Sequence, residues 1–168
     1  MKNTILILIS LLFLTGVSEG KEVTYLQDRN GIKYEVNQEE PFSGKYVEYH
    51  KNGHGQKQSE ENYKNGGLDG LVTGWYENGQ KGFERNFRNG EEEGLWTEWY
   101  ENGQKNWEGN YKNGKLEGLW TEWFENGQKK YELHLKDGKK EGLFTTYDEE
   151  GSVIKTEEYK DGKLEVIN

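Results

Sequence analysis

A two-residue turn signal divides this sequence at short and regular intervals. From Gly66 onward, the glycines of these turns are spaced alternately 13 and 11 residues apart. Asn-Gly between short runs is the strongest local signal for a β-hairpin, because a type I′ turn requires positive φ at both central residues. No helical apolar period survives such frequent turns, so the chain is predicted to be all-β. The central turns are Asn78-Gly79, Asn102-Gly103, Asn113-Gly114 and Asn126-Gly127.

A longer period is superimposed on the turn spacing. Gly70, Gly94, Gly118 and Gly142 are each 24 residues apart and open similar segments, such as GLWTEWYENGQ and GLWTEWFENGQ. A further unit opens at Gly44 and is 26 residues long, with His54-Gly55 as the insertion. Each unit holds two turns and two strands, and such units are stable only when stacked. The predicted fold is an elongated single-layer antiparallel sheet of stacked β-hairpin repeats, a 24-residue solenoid.

Composition agrees with a thin fold of this kind. Hydrophobic residues make up only 31% of the chain, whereas aromatic residues reach 14%. A single layer has little interior, and large rings can supply its burial. The formal net charge is −9, without the clustered Lys and Arg that attract phosphate backbones, which argues against nucleic acid and anionic lipid as partners. The absence of cysteine excludes disulfides, thiolate metal sites and a cysteine nucleophile.

The N-terminal region differs from the repeats. Residues 1–20 combine Lys2, an apolar run and small residues before Lys21, which is typical of a secretory signal peptide. An uncleaved N-terminal anchor is the alternative. Residues 21–43 predict an N-terminal cap hairpin around Asn30-Gly31, or else a variable functional head, and residues 44–168 form the repeat array. Whether residues 1–20 are cleaved or stay as an anchor, the repeats are expected outside the cytoplasm, in the periplasm or the extracellular space.

Turn arithmetic predicts the strand register of the third unit. A two-residue turn at Asn102-Gly103 sets Tyr100 opposite Lys105, Glu98 opposite Trp107 and Trp96 opposite Gly109. The next turn sets Tyr111 opposite Leu116, Gly109 opposite Gly118 and Trp107 opposite Trp120. Directly opposed residues share a face of the sheet. One face, the packing face, therefore carries Trp96, Tyr100, Trp107, Tyr111 and Leu116, with glycines that leave room for the rings.

The other face carries one regular column of aromatic residues. We call this column the aromatic stripe and its side of the sheet the stripe face. Leu71, Leu95, Leu119 and Leu143 form a second column there. The stripe is a second packing surface or, as exposed aromatic rows often indicate, a surface that binds a partner. Its members are Tyr49, Trp75, Trp99, Trp123 and Tyr147.

Sequence motifs of catalysis are missing. The chain has three histidines, with no nucleophile elbow, phosphate loop or zinc motif. His50 and His54 bracket a turn without further ligands, and the acidic run Glu91-Glu92-Glu93 is interpreted as a solvated turn. Glu122 is expected to pair with Lys105 across strands. The protein is therefore predicted to have no enzymatic activity, no cofactor and no metal site.

These units resemble the MORN repeat in its bacterial variant form. The matching elements are Tyr111-x-Asn113-Gly114-Lys115-x-x-Gly118-x-Trp120 and the following Phe124-x-Asn126-Gly127, with equivalent runs at Phe87 to Trp99 and Leu135 to Tyr147. The resemblance covers roughly Gly44 to Leu164. It implies an elongated β-hairpin array that serves as a protein-interaction or scaffolding module. Some MORN proteins are associated with lipid binding, against which the acidic balance of this chain argues.

Two narrower resemblances extend the functional alternatives. Within the bacterial variants the sequence looks like the YwqK-type antitoxins, which implies neutralisation of a toxin by direct binding, although a cytoplasmic antitoxin should lack a signal peptide. The aromatic hairpins also look distantly like choline-binding cell-wall repeats, which have a shorter period. The leading hypothesis is an exported, non-enzymatic scaffold with a protein partner. The alternatives are an antitoxin or immunity protein and a module that binds cell-wall glycan or choline.

Overall fold

The computed structural model describes residues 21–165, so the expected signal peptide lies outside the described residues. These residues form short β-strands joined by turns, with no helix. The strands are β1 (Glu22–Val23), β2 (Gln27–Arg29), β3 (Ile32–Tyr34), β4 (Gly44–Tyr49), β5 (Lys57–Lys64), β6 (Gly67–Trp75), β7 (Lys81–Arg88), β8 (Glu91–Glu92), β9 (Gly94–Trp99), β10 (Lys105–Lys112), β11 (Lys115–Trp123), β12 (Lys129–Lys136), β13 (Lys139–Tyr147), β14 (Val153–Lys160) and β15 (Lys163–Leu164).

The strands from β4 onward pair in chain order to form one long antiparallel sheet. The pairing follows β4-β5-β6-β7-β9-β10-β11-β12-β13-β14-β15, and β8 extends the line of β9 beside β7. The only parallel contact within the described sheet is that of β1 with β4. Each strand contacts mainly its sheet neighbours, and no extensive contact joins strands of residues 21–165 that are not neighbours in a sheet. The predicted all-β architecture of stacked hairpins is confirmed.

The turns fall into two classes, and the prediction of type I′ was correct for only one. At Asn113-Gly114 both residues have positive φ, 51° and 71°, as a type I′ turn requires. At Asn102-Gly103 only the glycine has positive φ, 84°. There the amide of Gly103 donates to the carbonyl of Tyr100 at 2.9 Å and the amide of Tyr100 donates to Gln104 at 2.8 Å, which is a type I turn followed by a glycine bulge. We call the first class the short turns and the second the long turns.

The long-turn geometry changes the predicted register beside it. Lys105 lies opposite Trp99 instead of Tyr100, because the long turn pairs Tyr100 with Gln104 and so contains three residues instead of two. Asn106 is then an extra residue in β10. Beyond this bulge the predicted pairs return, with Glu98 opposite Trp107 and Gly109 opposite Trp96. A bulge inserts one unpaired residue and changes the side-chain alternation of its strand.

A second irregularity makes the register around the short turn differ from the predicted one. Tyr111 lies opposite Leu116 as predicted, but Gly109 pairs with Trp120 and Trp107 pairs with Glu122. Two extra residues in β11, Gly118 and Leu119, cause this shift. Because the shift is even, it leaves the assignment of side chains to the two faces unchanged. Gly118 adopts φ of 82° and has open space where a side chain would stand. It therefore allows this backbone conformation and does not make room for a ring.

The packing face is lined by aromatic contacts between neighbouring strands. Trp96 is only 7% exposed, and its ring centroid lies 4.4 Å from that of Tyr111 and 5.4 Å from that of Phe87. Trp107 and Trp120 stack at 4.5 Å with an interplanar angle of 13°. A Cβ on Gly109 would lie 2.7 Å from the Trp120 ring, so this glycine does make room for a ring. Such pairs add about 0.5–1.5 kcal/mol beyond their burial.

The first repeat is covered by the N-terminal region. β2 and β3 form a separate hairpin around Asn30-Gly31. Lys33 of this hairpin donates its amide to the Gly66 carbonyl at 3.0 Å, and Gly66 donates to Phe42 at 2.7 Å. Phe42 is 3% exposed and Val47 is fully buried. The beginning of the sheet therefore has a small apolar centre of its own.

Candidate interaction surface

The structure places the aromatic stripe in one column on one side of the sheet. Each of these residues is the last of its strand and lies directly opposite the first residue of the next strand. The pairs are Tyr49 with Lys57, Trp75 with Lys81, Trp99 with Lys105, Trp123 with Lys129 and Tyr147 with Val153. Tyr49 is 40% exposed, whereas the other four side chains are half-buried.

Lysines alternate with the aromatic rings along the stripe. The Nζ atom of Lys105 lies 5.4 Å from the centroid of the Trp123 ring, and Lys81 stands 5.9 Å from Trp99 in the same way. These distances fall within the range of cation–π attraction, about 6 Å. The stripe is therefore a ladder in which each tryptophan faces a lysine of the preceding hairpin. The sequence analysis identified the tryptophans but not these lysines.

Each stripe lysine also forms an ion pair that depends on a bulge. Residues three apart in a regular strand point to opposite faces, so Lys105 and Glu108 could not normally meet. The extra residue Asn106 reverses the alternation and brings both side chains to the stripe face, where they are hydrogen-bonded. The same pairing joins Lys57 to Glu60, Lys81 to Glu84 and Lys129 to Glu132.

These pairs shift the pKa values of several stripe-face groups. Burial raises the pKa of Glu60, but hydrogen bonds from Lys45 and Lys57 at 2.7 and 2.6 Å outweigh it, so the net pKa is lowered. The hydrogen bond to Glu132 raises the pKa of Lys129. Glu60 and Lys129 therefore stay charged within ion pairs near neutral pH. The stripe lysines are each paired with a glutamate, so they are not free cations that would attract an anionic surface.

Two further columns complete the stripe face. Thr73, Thr97 and Thr121 are 4–6% exposed and form a floor beside the rings. Beyond them stands the leucine column, of which Leu95 is 45% exposed and Leu143 is 56% exposed. Rings and leucines together give an apolar surface that repeats once per unit. Exposed apolar surfaces of this kind are typical of interaction sites.

The long turns form an ordered edge beside the stripe. Tyr100 donates its hydroxyl to the Trp123 carbonyl at 2.8 Å, so it spans two units and does not join the ring stack of the packing face. Asn102 donates its side-chain amide to the Glu125 carbonyl at 2.8 Å and accepts the amide of Gln104 at 2.9 Å. The turns of Asn78 and Asn126 repeat this pattern. These bonds fix the end of each stripe strand relative to the next.

The short turns are capped by residues whose role the sequence analysis missed. Glu93 was assigned to a solvated acidic turn, but its carboxylate accepts the Asn113 amide at 3.0 Å, and the Glu92 carbonyl accepts the Gly114 amide. Equivalent carboxylates are Asp69, Glu117 and Glu141, and Ser43 plays this part in the first unit. The signal that could have revealed them is a polar residue immediately before each unit glycine.

Other predicted contacts differ in the structure. Glu122 pairs with Lys130 at 2.7 Å and not with Lys105. His50 lies 2.9 Å from the Trp75 carbonyl and occupies the place that Tyr76 and Tyr100 take in later units. Among residues 21–165, no three His, Asp or Glu side chains come together as a group that could hold a metal ion.

One shallow hollow interrupts the repeating surface. Its volume is about 260 Å³, and its walls include His50, Tyr76, Phe83 and Glu98. Gly74 stands where the next unit has Glu98, and a Cβ there would lie 2.2 Å from the Phe83 ring. Phe83 packs over Gly74, and the hollow lies beside this contact, between residues of the first three units.

Comparison with known proteins gives the family. Four stretches match the MORN repeat variant, at residues 68–89, 92–113, 116–137 and 140–166, which together make up more than half of the chain. The chain belongs to the MORN repeat variant family. No curated protein matches it.

Repeats of the MORN family are generally modules that bind proteins or membranes. In residues 21–165 of this MORN protein, no helix is long and apolar enough to cross a membrane. The family and the geometry together direct attention to surfaces that recur in every unit. The stripe face is the one on which half-buried rings and exposed leucines recur together.

Proposed function

We propose that this MORN protein is an exported, non-enzymatic scaffold that binds a protein partner through the aromatic stripe and the adjoining leucine column. The observation that carries the proposal is the uninterrupted column Tyr49, Trp75, Trp99, Trp123 and Tyr147, which no other strand of the described residues covers. The rings already have fixed positions, because each stands at the end of a paired strand, and all except Tyr147 lie opposite a lysine.

The physical case rests on preorganisation. Aromatic residues dominate the energetics of protein interfaces, and their cost in lost side-chain freedom on binding is small when they are already held. Here Trp99 is held between Lys81 and Lys105, and each of these lysines is neutralised by a glutamate of its own strand. A partner could cover this face without burying an unpaired charge. Its own contact surface should be apolar and elongated, because the stripe extends over five units.

Site-specific crosslinking tests the proposal. A photo-reactive amino acid is placed at Trp99, and a matched one at Lys112, which is exposed at the short-turn edge. The same protein partner should be captured from Trp99 and lost in a Trp75→Ala/Trp123→Ala background, whereas Lys112 should capture little. Circular dichroism confirms that each variant folds. Capture of the partner from Lys112 alone would remove the stripe from the interface.

Two narrower functions are distinguished by separate measurements. Neutralisation of a toxin rests on resemblance to YwqK-type antitoxins, and a toxin gene beside this one would support it. Glycan or choline binding through ring stacking would change tryptophan emission when the protein is titrated with cell-wall fragments or choline. Unchanged emission at saturating ligand would dismiss glycan and choline as ligands of Trp75, Trp99 and Trp123.

Export is tested independently of binding. The N-terminal segment Met1 to Gly20 has the order of charged, apolar and small residues that signal peptidase substrates share. Fractionation of cells that express a C-terminally tagged chain should recover the protein outside the cytoplasm, and sequencing its N-terminus should show whether the segment is removed. Recovery in the cytoplasm would refute export and would favour a cytoplasmic antitoxin.

A further inference from the structure

The chain contains eight Asn-Gly pairs, and one of them differs from the other seven in its hydrogen bonds. Asn-Gly is the dipeptide most prone to spontaneous deamidation, because glycine offers no side chain to hinder attack by its backbone nitrogen. The reaction requires that nitrogen to be free. The eight pairs begin at Asn30, Asn52, Asn65, Asn78, Asn89, Asn102, Asn113 and Asn126.

Six of the glycine amides donate to backbone carbonyl groups, and a seventh, that of Gly31, donates to the Asp28 carboxylate at 2.9 Å. In the long turns, Gly79, Gly103 and Gly127 each donate at 2.9 Å to a carbonyl of their own turn. In the short turns the amide donates to the preceding unit instead. Those bonds are Gly66 to Phe42 at 2.7 Å, Gly90 to Leu68 at 2.8 Å and Gly114 to Glu92 at 3.0 Å. Attack by any of these seven nitrogens first requires its hydrogen bond to break.

Gly53 is the exception. Within residues 21–165 its amide has no hydrogen-bond acceptor, and the residue is exposed with nothing within 4 Å of a Cβ position. The cause is the two-residue insertion His54-Gly55, which lengthens this turn relative to the turn of Asn78. The closing bond of the hairpin is kept, from the His50 amide to the Gln56 carbonyl at 2.9 Å.

The side chain of Asn52 is also held less firmly than its counterparts. Asn78 donates its side-chain amide to the Glu101 carbonyl of the next unit at 2.8 Å. Asn52 has only a 3.5 Å contact with the Gln56 side chain, although its Oδ1 still accepts the His54 amide at 3.1 Å. The side-chain carbonyl carbon of Asn52, Cγ, is therefore not held against the neighbouring hairpin.

We propose that Asn52 is a site of spontaneous deamidation and that the folded chain protects the other seven Asn-Gly pairs. The Gly53 nitrogen loses its proton to solvent hydroxide and attacks Cγ of Asn52. The bond from Cγ to Nδ2 breaks, Nδ2 takes up a proton and ammonia leaves, and a cyclic succinimide remains. Water then opens either carbonyl of the ring, which yields aspartate or isoaspartate. The product adds a negative charge beside Lys51 in a turn that already departs from the repeat.

The experiment is peptide mapping by mass spectrometry after incubation of the full folded chain at mildly alkaline pH. Isoaspartate is detected in parallel with an isoaspartyl methyltransferase. Asn52 should convert on the order of tenfold faster than any of the other seven. In urea all eight should convert at similar rates, because the protection comes from the fold. Equal rates in the folded chain, or faster conversion at another pair, would overturn the assignment.

Two variants test the cause within the same molecule. Deletion of His54 and Gly55 restores the common turn length and should slow conversion of Asn52 to the rate of Asn78. Insertion of His-Gly after Gly103 should accelerate conversion of Asn102 without changing Asn78. If neither variant changes the rates, the free amide of Gly53 is not the cause. The deletion and the insertion change different units. If one variant fails to fold, the other still tests the cause.

Discussion

The carboxylate caps of the short turns lead to the sharpest prediction about stability. Glu93 accepts the Asn113 amide at 3.0 Å and lies 4.0 Å from Arg88, and its side chain is 31% exposed. The ion pair is too long and exposed to contribute much. Loss of the hydrogen bond leaves one turn amide to water and should cost about 1 kcal/mol. In a chain of this size, this corresponds to a fall in Tm of about 2–4 °C.

The assay combines a global and a local measurement, since repeat arrays need not unfold in one step. Glu93→Ala should lower the free energy of unfolding in urea and should speed hydrogen exchange at the Asn113 amide about fivefold. Glu91→Ala is the matched control, because Glu91 is an exposed carboxylate of the same run and its side chain makes no hydrogen bond among the described residues. Glu93→Gln keeps an acceptor oxygen and should recover most of the loss.

The result that would refute this reasoning is also specific. If Glu93→Ala and Glu91→Ala have the same stability and the same exchange at Asn113, the cap contributes nothing and the run is a solvated turn. If Glu93→Gln is as unstable as Glu93→Ala, charge and not hydrogen bonding is the origin of the effect.

Two other predictions concern the packing face. Gly109→Ala should cost about 1–3 kcal/mol and abolish the circular dichroism signal of the coupled Trp107–Trp120 pair, because its Cβ would enter the Trp120 ring. Gly118→Ala should cost only about 1 kcal/mol of backbone strain and keep that signal; equal effects of the two would contradict the packing argument. Burial and the hydrogen bond to Glu61 raise the pKa of Tyr63. The folded state therefore keeps this proton above pH of about 10, where the unfolded state loses it, so stability is full below that pH and falls as pH rises. Tyr63→Phe should make alkaline denaturation curves less steep, and an unchanged slope would exclude this tyrosine as a source.

Much of the fold could be predicted from the sequence, because turn residues and strand alternation act over a few neighbouring residues. Asn-Gly pairs require turns wherever they occur, and glycine is the residue that accepts positive φ without strain. Their spacing left room only for short strands, and alternation along each strand separated Trp96 from Trp99. For the same reason the aromatic stripe could be named before its geometry was known. Whether it binds a partner stays a prediction.

The remainder depended on contacts between units. Both turn classes contain Asn-Gly, and the difference between Asn102 and Asn113 appears only in their hydrogen bonds and backbone angles. The extra residue Asn106, which places Lys105 and Glu108 on one face, likewise appears only in the pairing with β9. The cap formed by Glu93 joins residues 20 apart in the chain.

The sequence by itself therefore determined the period, the all-β class and the placement of Trp96 and Trp99 on opposite faces. The tertiary structure decided the turn geometry, the exact opposition of residues across strands, and which carboxylates hold the turns. The physical reason is that the first group follows from steric rules within a few residues. The second group depends on backbone amides and carbonyls that a neighbouring unit supplies only once the hairpins have stacked.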